Sequence, residues 1–149
     1  MEQNQQWQRG EFRINSDKSE LDLAATHAFL ATTSWAQGIS LATVQQSIDN
    51  SLCFGLYHQR QQIGFARLVT DYATFGYLCD VFVIPEFTRQ GLAKWLMACM
   101  LEHPVLQRLR RIMLVTSSAP GLYQQVGYQP VNKQDFVWQI ARPDIYQQQ

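Results

Sequence analysis

The sequence predicts an α+β fold: a central mixed, mostly antiparallel sheet flanked by helices, in the order β-α-α-β-β-β-α-β-α-β. Three observations carry this. Two successive stretches before residue 50 repeat apolar residues at helical spacing. From 52 to 84 the pattern changes to β-branched and aromatic runs broken by turn formers, and after 90 helical and strand patterns alternate. The 149 residues, 46% of them hydrophobic, suit one domain with its own core, which we take to be 1–149. The glutamine-rich ends, 1–10 and 146–149, read as flexible tails.

The elements follow in order. "EFRINSD" makes a short first strand. "SELDLAATHAFLATTSW" sets Leu21, Ala24, Ala25, Ala28 and Phe29 at helical spacing, with Ser19 as its N-cap. "ISLATVQQSIDNS" gives a second helix, with Leu41, Val44 and Ile48 on one stripe after Ser40 and Asn50 near the exit. "SLCFGLYH", "IGFARLVTD" and "TFGYLCDVFVIP" form an antiparallel meander, separated at "QRQQ" and "DYA". "GLAKWLMACMLEH" is a helix with Leu92, Trp95, Leu96, Cys99 and Met100 on its apolar side and Pro104 at its stop. "RRIMLVTS" is a buried strand, and "GLYQQVGY" winds one or two helical turns after Pro120 and ends at Gly127. "DFVWQIA" is the last strand, whose edge is available to pair across a homodimer. The strand, helix, strand succession after residue 74 requires one parallel crossover.

Charge and cysteine usage narrow the function. Twelve basic residues balance twelve acidic ones, so no long-range field gathers nucleic acid or an anionic membrane. No apolar run approaches the ~20 residues of a membrane span. The N-terminus lacks the basic start and apolar stretch of a signal peptide, and the expected location is the cytoplasm. Cys53, Cys79 and Cys99 are odd in number, lack CxxC spacing and lie in apolar surroundings, as buried reduced thiols do. His27, His58 and His103 are scattered, and no metal is expected.

The functional signal lies in "VFVIPEFTRQGLAKWL", residues 81–96, where an alternating run stops at Pro85 and a glycine stands at the start of a helix. The first amides of a helix have no carbonyl partner within it, and its dipole is positive there, so such a mouth holds an anion. Gly91 and Ala93 leave the backbone accessible; an ordinary strand-to-helix connection is the alternative. The longer stretch "LCDVFVIPEFTRQGLAKWLMA" resembles motif A of the GCN5-related N-acetyltransferases (GNAT), whose R/Q-x-x-G-x-G/A loop binds the pyrophosphate of acetyl-CoA. Here the loop reads Thr88-Arg89-Gln90-Gly91-Leu92-Ala93, with Thr88 in place of the usual Arg or Gln. "APGLYQQVGY" resembles the family's later "A...LY.K.GF" signature, with Ala119, Tyr123, Gly127 and Tyr128 in matching places and Thr116 where many members have Asn.

The resemblance, close over residues 74–129, implies a GNAT-like acyl-CoA N-acyltransferase fold with acetyl-CoA as co-substrate. It implies a cradle of Arg89, Gln90, Gly91, Leu92, Ala93 and Lys94, and cofactor contacts near Phe82 and Val83, where strand 74–84 parts from strand 111–117. Tyr123 matches the tyrosine to which the family often assigns general-acid duty; its reference pKa near ~10 keeps it able to protonate a thiolate whose reference value is ~8.5. A merely packed tyrosine is the alternative. Asp80 lies inside an apolar strand, where alternation sets it on the face of Leu78 and Phe82. It matches a position that is often Asp or Glu in the family, which implies a catalytic residue that holds a substrate ammonium or takes its proton, directly or through water; a structural acceptor for loop amides or a partner to an arginine such as Arg67 is the alternative. Trp35 is either a lid over the acceptor or a core residue, and Tyr57, Arg67, Asp71 and Tyr72 are further candidates for the acceptor pocket. The implied activity is N-acetylation of a small primary amine by direct attack. A non-catalytic acyl-CoA-binding or sensing module is the alternative, left open by Thr88 and Thr116.

Overall fold

The computed structural model describes residues 3–148. Six strands form one sheet in sequential order: β1 (Gln6–Arg9), β2 (Phe12–Asn15), β3 (Leu52–His58), β4 (Gln61–Thr70), β5 (Phe75–Val83) and β6 (Arg111–Leu114). Neighbours are antiparallel from β1 to β5, and β6 joins β5 in parallel. Helices α1 (Leu23–Leu30) and α2 (Leu41–Asp49) connect β2 to β3. The parallel crossover carries α3 (Leu92–Glu102) and the short α4 (Pro104–Arg108), and α5 (Pro120–Gln125) follows β6. This is the mixed, mostly antiparallel sheet flanked by helices that the sequence predicts.

Each face of the sheet buries its own cluster. Phe54, Leu56, Ile63, Ala66, Leu68 and Leu78 pack beneath Leu92, Leu96, Met97, Cys99 and Met100 of α3. On the opposite face Cys53, Phe65 and Phe82 meet Leu30, Val44 and Ile48 of α1 and α2, with Phe29 and Phe82 stacked at 4.0 Å. The α3 stripe includes Met97 as well as the expected positions, while Trp95 lies at its margin under the Arg9 guanidinium, 4.7 Å from the ring centroid.

Four local expectations are corrected. The first strand is a hairpin: Gln6–Arg9, expected to be tail, pairs with β2, and Trp7 packs against Phe54 at a centroid distance of 6.3 Å. An edge strand tolerates its glutamines because only one face is covered. The N-cap of α1 is Asp22, whose carboxylate accepts from the Ala25 amide; Ser19 sits in a 3-10 turn capped by Asp17. Pro104 both ends α3 and opens α4, since its missing N–H is harmless at a first helical position. Finally, "DFVWQIA" forms no strand. Among the described residues, no amide from Gln129 to Asp144 donates to a backbone carbonyl, so a strand-like pattern has no ladder to join.

Candidate active site

The cleft begins where two parallel strands separate. β5 and β6 pair from Phe75↔Arg111 to Leu78↔Leu114; β6 ends there while β5 continues to Val83 with only β4 beside it. The gap is a cleft of about 590 Å³, a size suited to a small-molecule site. Its wall includes Trp35, Asp80, Phe82, Val83, Thr88, Ala93, Thr116 and Tyr123. Residues from the α1–α2 loop, the splayed strand, the mouth of α3 and the start of α5 thus meet around one space.

A bulge sets the chemistry of the splayed strand. Phe65 pairs with Phe82, but Arg67 pairs with Cys79, so β5 carries an extra residue between them. Asp80 has φ 55, a left-handed conformation that Asp and Asn adopt more readily than other side chains. The expected alternation therefore fails here. Leu78 lies in the α3-side cluster and Phe82 in the α1–α2 cluster, and Asp80 turns toward the latter side. Its Oδ2 accepts from Arg67 Nε at 2.8 Å, and its Oδ1 accepts from Trp35 Nε1 at 3.2 Å. Arg67 also donates through Nη1 to Ser51 Oγ at 3.1 Å. Burial disfavours the guanidinium charge, but the neighbouring Cys79 and Asp80 offset this and raise its pKa further. Of the two alternatives for Asp80, pairing with Arg67 is the one observed, and the carboxylate still borders the cleft.

The helix mouth has the predicted bareness, for a conformational reason. Arg89 and Gly91 both have positive φ, 66° and 76°, and no side chain caps α3. The first helical bond is Trp95 N to Gly91 O at 3.1 Å, which leaves the Leu92, Ala93 and Lys94 amides without a carbonyl inside the helix. A Cβ at Gly91 would meet nothing within 4 Å, so it is the left-handed turn rather than crowding that favours glycine. Leu92 buries its side chain in the core and offers only its amide, whereas Arg89, Gln90 and Lys94 are exposed. The Thr88 hydroxyl is spent on Pro85 O at 2.9 Å. These outward amides fit a pyrophosphate, with Arg89 and Lys94 as the nearby cations.

On the opposite wall, Tyr123 packs edge-on against Tyr128, 5.9 Å between centroids, and burial pushes its hydroxyl pKa above the ordinary value. It stays protonated at neutral pH. Thr116 accepts from the Ala119 amide at 3.1 Å and so shapes the turn into α5. Cys79 also lines the cleft, and burial pushes its thiol up to about 11, far from a thiolate nucleophile.

The remaining candidates divide clearly. Trp35 is 54% exposed and tethered to Asp80, so it is no core residue. Arg67 reaches the cleft only through Asp80. Tyr57 is buried beneath Arg13, whose guanidinium lies 4.4 Å above its ring, and does not line the cleft. The Thr74 hydroxyl, and after it the amides of Thr74, Ala73 and Phe75, donate to Asp71 and hold its pKa well below the carboxylate range; neither it nor Tyr72 lines the cleft. Sequence reasoning missed Ser34, Tyr77, Ser117 and Ser118 on the cleft wall. Ser34 lies in the segment between the first two helices, Ser117 and Ser118 follow Thr116, and Tyr77 shares the strand of Asp80, but none was singled out.

A sheet that splays beside a bare helix mouth makes a cleft suited to an extended anionic ligand, and known proteins share this arrangement. Residues 49–130 match the acetyltransferase (GNAT) domain. A protein of Gibberella zeae, named as a candidate acetyltransferase, is 31% identical over 142 residues, covering 80% of this chain and 79% of that one. A crystal structure of a candidate GNAT acetyltransferase from Xanthomonas campestris pv. campestris superposes with a TM-score of 0.87 at 44% identity, over 91% of this chain and 96% of that one. A crystal structure of a candidate acetyltransferase from Clostridium acetobutylicum with acetyl-CoA shares the fold, with a TM-score of 0.60 at 14% identity over 88% of this chain and 94% of that one. The chain belongs to the GNAT acetyltransferases, a family that uses acetyl-CoA. No helix among the described residues is long and apolar enough to cross a membrane.

Proposed function

We propose that this protein is an acetyl-CoA-dependent N-acetyltransferase that acetylates the primary amine of a small acceptor by direct attack. The observation that carries the reading is that one cleft is lined by Ala93 of the helix mouth, Asp80 and Tyr123. The pyrophosphate of acetyl-CoA sits on the outward amides around Gly91, and the acyl arm runs along β5 past Val83 and Phe82. Where β5 has left β6, its cleft-side amides are placed to support charge on the thioester oxygen. The ammonium gives up a proton by way of Asp80 and water so that the neutral amine attacks, and Tyr123 supplies the proton to the departing thiolate. The second nitrogen proton is released as the tetrahedral adduct collapses and replaces the one Tyr123 gave. The protonated Cys79 thiol supports direct attack over a covalent intermediate.

Asp80 is the one charged residue on the cleft wall among the described residues, which favours a cationic amine over a phosphorylated or carboxylated acceptor. Its contact with Trp35 is longer than its bond to Arg67, so an acceptor ammonium displaces Trp35 from Oδ1 while Arg67 keeps Oδ2 in place. Tyr57 drops out of the acceptor site. The three free thiols support a cytoplasmic location, and a homodimer is part of the reading.

The test combines thermal unfolding with acetyl-CoA and thiol release over a panel of amines. Ligand at ~100 times its dissociation constant stabilises by about 2.7 kcal/mol. Tyr123→Phe should retain that shift and lose about 10²-fold or more in kcat. A thermal shift with no amine-dependent thiol release across the panel would instead support the non-catalytic acyl-CoA-binding module that Thr88 and Thr116 leave open. No shift at all would remove both readings.

A further inference from the structure

The cleft opens on both faces of the sheet. Ala93 belongs to the helix mouth on the α3 face, whereas Asp80 and Trp35 meet on the face that α1 and α2 cover in part. Cys53, Arg67 and Cys79 stand opposite one another on β3, β4 and β5, and Cys53 packs in the α1–α2 cluster, so residues in step with Cys79 share that face. Tyr77 comes two residues earlier in β5 and therefore projects to the same side, with Val69 opposite it on β4 and Met113 on β6. The two helices stop short of this patch: Val69 is 43% exposed, and Tyr77 and Met113 are half-buried. Tyr77 lines the cleft together with Cys79 and Asp80. Burial raises its hydroxyl pKa, and Cys79 and Asp80 add to the rise, as befits a ring that shares its space with the carboxylate.

We infer that the acceptor is an arylalkylamine, whose ammonium meets Asp80 while its ring lies on Tyr77 under the indole of Trp35; the inference rests on the N-acetyltransferase reading above. Strand rise of ~3.3 Å per residue sets Tyr77 about 10 Å from Asp80 along β5, less what the bulge takes up, so a short alkyl tether joins the two contacts. Trp35 is mostly exposed, and once the ammonium displaces it from Oδ1 its ring has a second aromatic surface to cover. Two aromatic side chains on one wall offer a third ring offset or edge-to-face contact, and Val69 and Met113 extend the apolar floor. Other amines fit less well. A polyamine brings a second ammonium, but the cleft wall holds no second carboxylate among the described residues. An amino acid brings a carboxylate, and Arg67 is already spent on Asp80 and Ser51. An aminosugar finds no hydrogen-bonding side chain in Val69 or Met113. The transfer itself is unchanged: the amine nitrogen bonds the acetyl carbon as the C–S bond breaks, leaving an N-acetyl amide and the CoA thiol.

Thiol release at saturating acetyl-CoA tests it, with phenethylamine, butylamine, spermidine and glucosamine as acceptors. The kcat/KM for phenethylamine should exceed that for each of the others by about 10-fold or more. Tyr77→Ala should shrink the ratio of phenethylamine to butylamine to about 2-fold, and Tyr77→Phe should keep it, because the ring and not the hydroxyl makes the contact. The acetyl-CoA thermal shift of each variant shows that it folds and binds the cofactor. A ratio that survives Tyr77→Ala overturns the inference. Butylamine, spermidine or glucosamine turned over as well as phenethylamine overturns it too, yet leaves the N-acetyltransferase reading standing. A thermal shift with no thiol release from any of the four overturns both.

Discussion

Replacing Arg67 by methionine strips Asp80 of its cation while keeping most of the volume. The side chains of the pair are only 17% and 11% exposed, and the Nε–Oδ2 distance is 2.8 Å. Breaking a buried pair from one side costs about 3–5 kcal/mol, because the remaining charge is left in a low-dielectric site. Asp80 keeps Trp35 and borders the cleft, where water reaches it, so the expected cost is about 3 kcal/mol, the low end of that range. For a chain of this length that lowers Tm by roughly 6–12 °C. Adding Asp80→Asn removes the charge and preserves the left-handed backbone, so the double variant should recover about 1–2 kcal/mol of the loss. Urea unfolding followed by circular dichroism measures all corners of the cycle. A cost for Arg67→Met below about 1 kcal/mol would show that the pair behaves like a solvated surface bridge, and the account of the Asp80 bulge would be wrong.

Three further outcomes follow from the same geometry. Gly91→Ala should cost about 1–2 kcal/mol from its φ of 76°, and Gly91→Asn less, in thermal unfolding; equal losses would put the cost in something other than the backbone. Trp35→Phe should lower the acceptor KM and leave acetyl-CoA affinity unchanged, since the ammonium no longer has to displace the indole N–H from Asp80 Oδ1; a raised acceptor KM or a parallel change in acetyl-CoA affinity would refute that account. Burial raises Cys53 and Cys99 from 9.0 to about 12, and Cys79 to about 11. The native state therefore keeps protons that the unfolded chain releases, and their stabilisation is complete below pH 9 and declines as pH rises toward 11–12. Denaturant unfolding at stepped pH should show that decline, and Cys→Ala replacements should flatten it.

What the sequence revealed was whatever depends on neighbours along the chain. The α2 cap at Ser40, the α3 stripe, the glycine at the helix mouth and the "APGLYQQVGY" turn are local signals, and each lies where the pattern placed it. Two kinds of feature escaped. Trp7 belongs to a strand because β2 offers an edge, a fact of pairing that no glutamine-rich string announces, and "DFVWQIA" fails to become a strand for want of such a ladder. The bulge at Asp80 escaped because alternation was read straight through it. An aspartate inside an apolar run was the one clue, and it was read as buried charge rather than as a residue able to adopt positive φ. Tyr57 was misplaced for a related reason: strand membership says nothing about which end of the sheet faces the cleft.

The extra residue in β5 also means that the strand is written in two frames. Gly76 and Leu78 before Asp80, and Val81 and Val83 after it, reach the same α3-side packing, even positions on one side of the insertion and odd on the other. Phe82 is thereby free to stack on Phe29 across the opposite face. Removing the residue at position 80 would restore perfect alternation with Val81, Phe82 and Val83 still on their present faces, whereas straightening the bulge with the residue kept would turn all three inside out. The half of the sheet that pairs with β6 and the half that opens from it are thus built to separate phases, and what the inserted residue adds is a carboxylate beside the opening that displaces none of its neighbours.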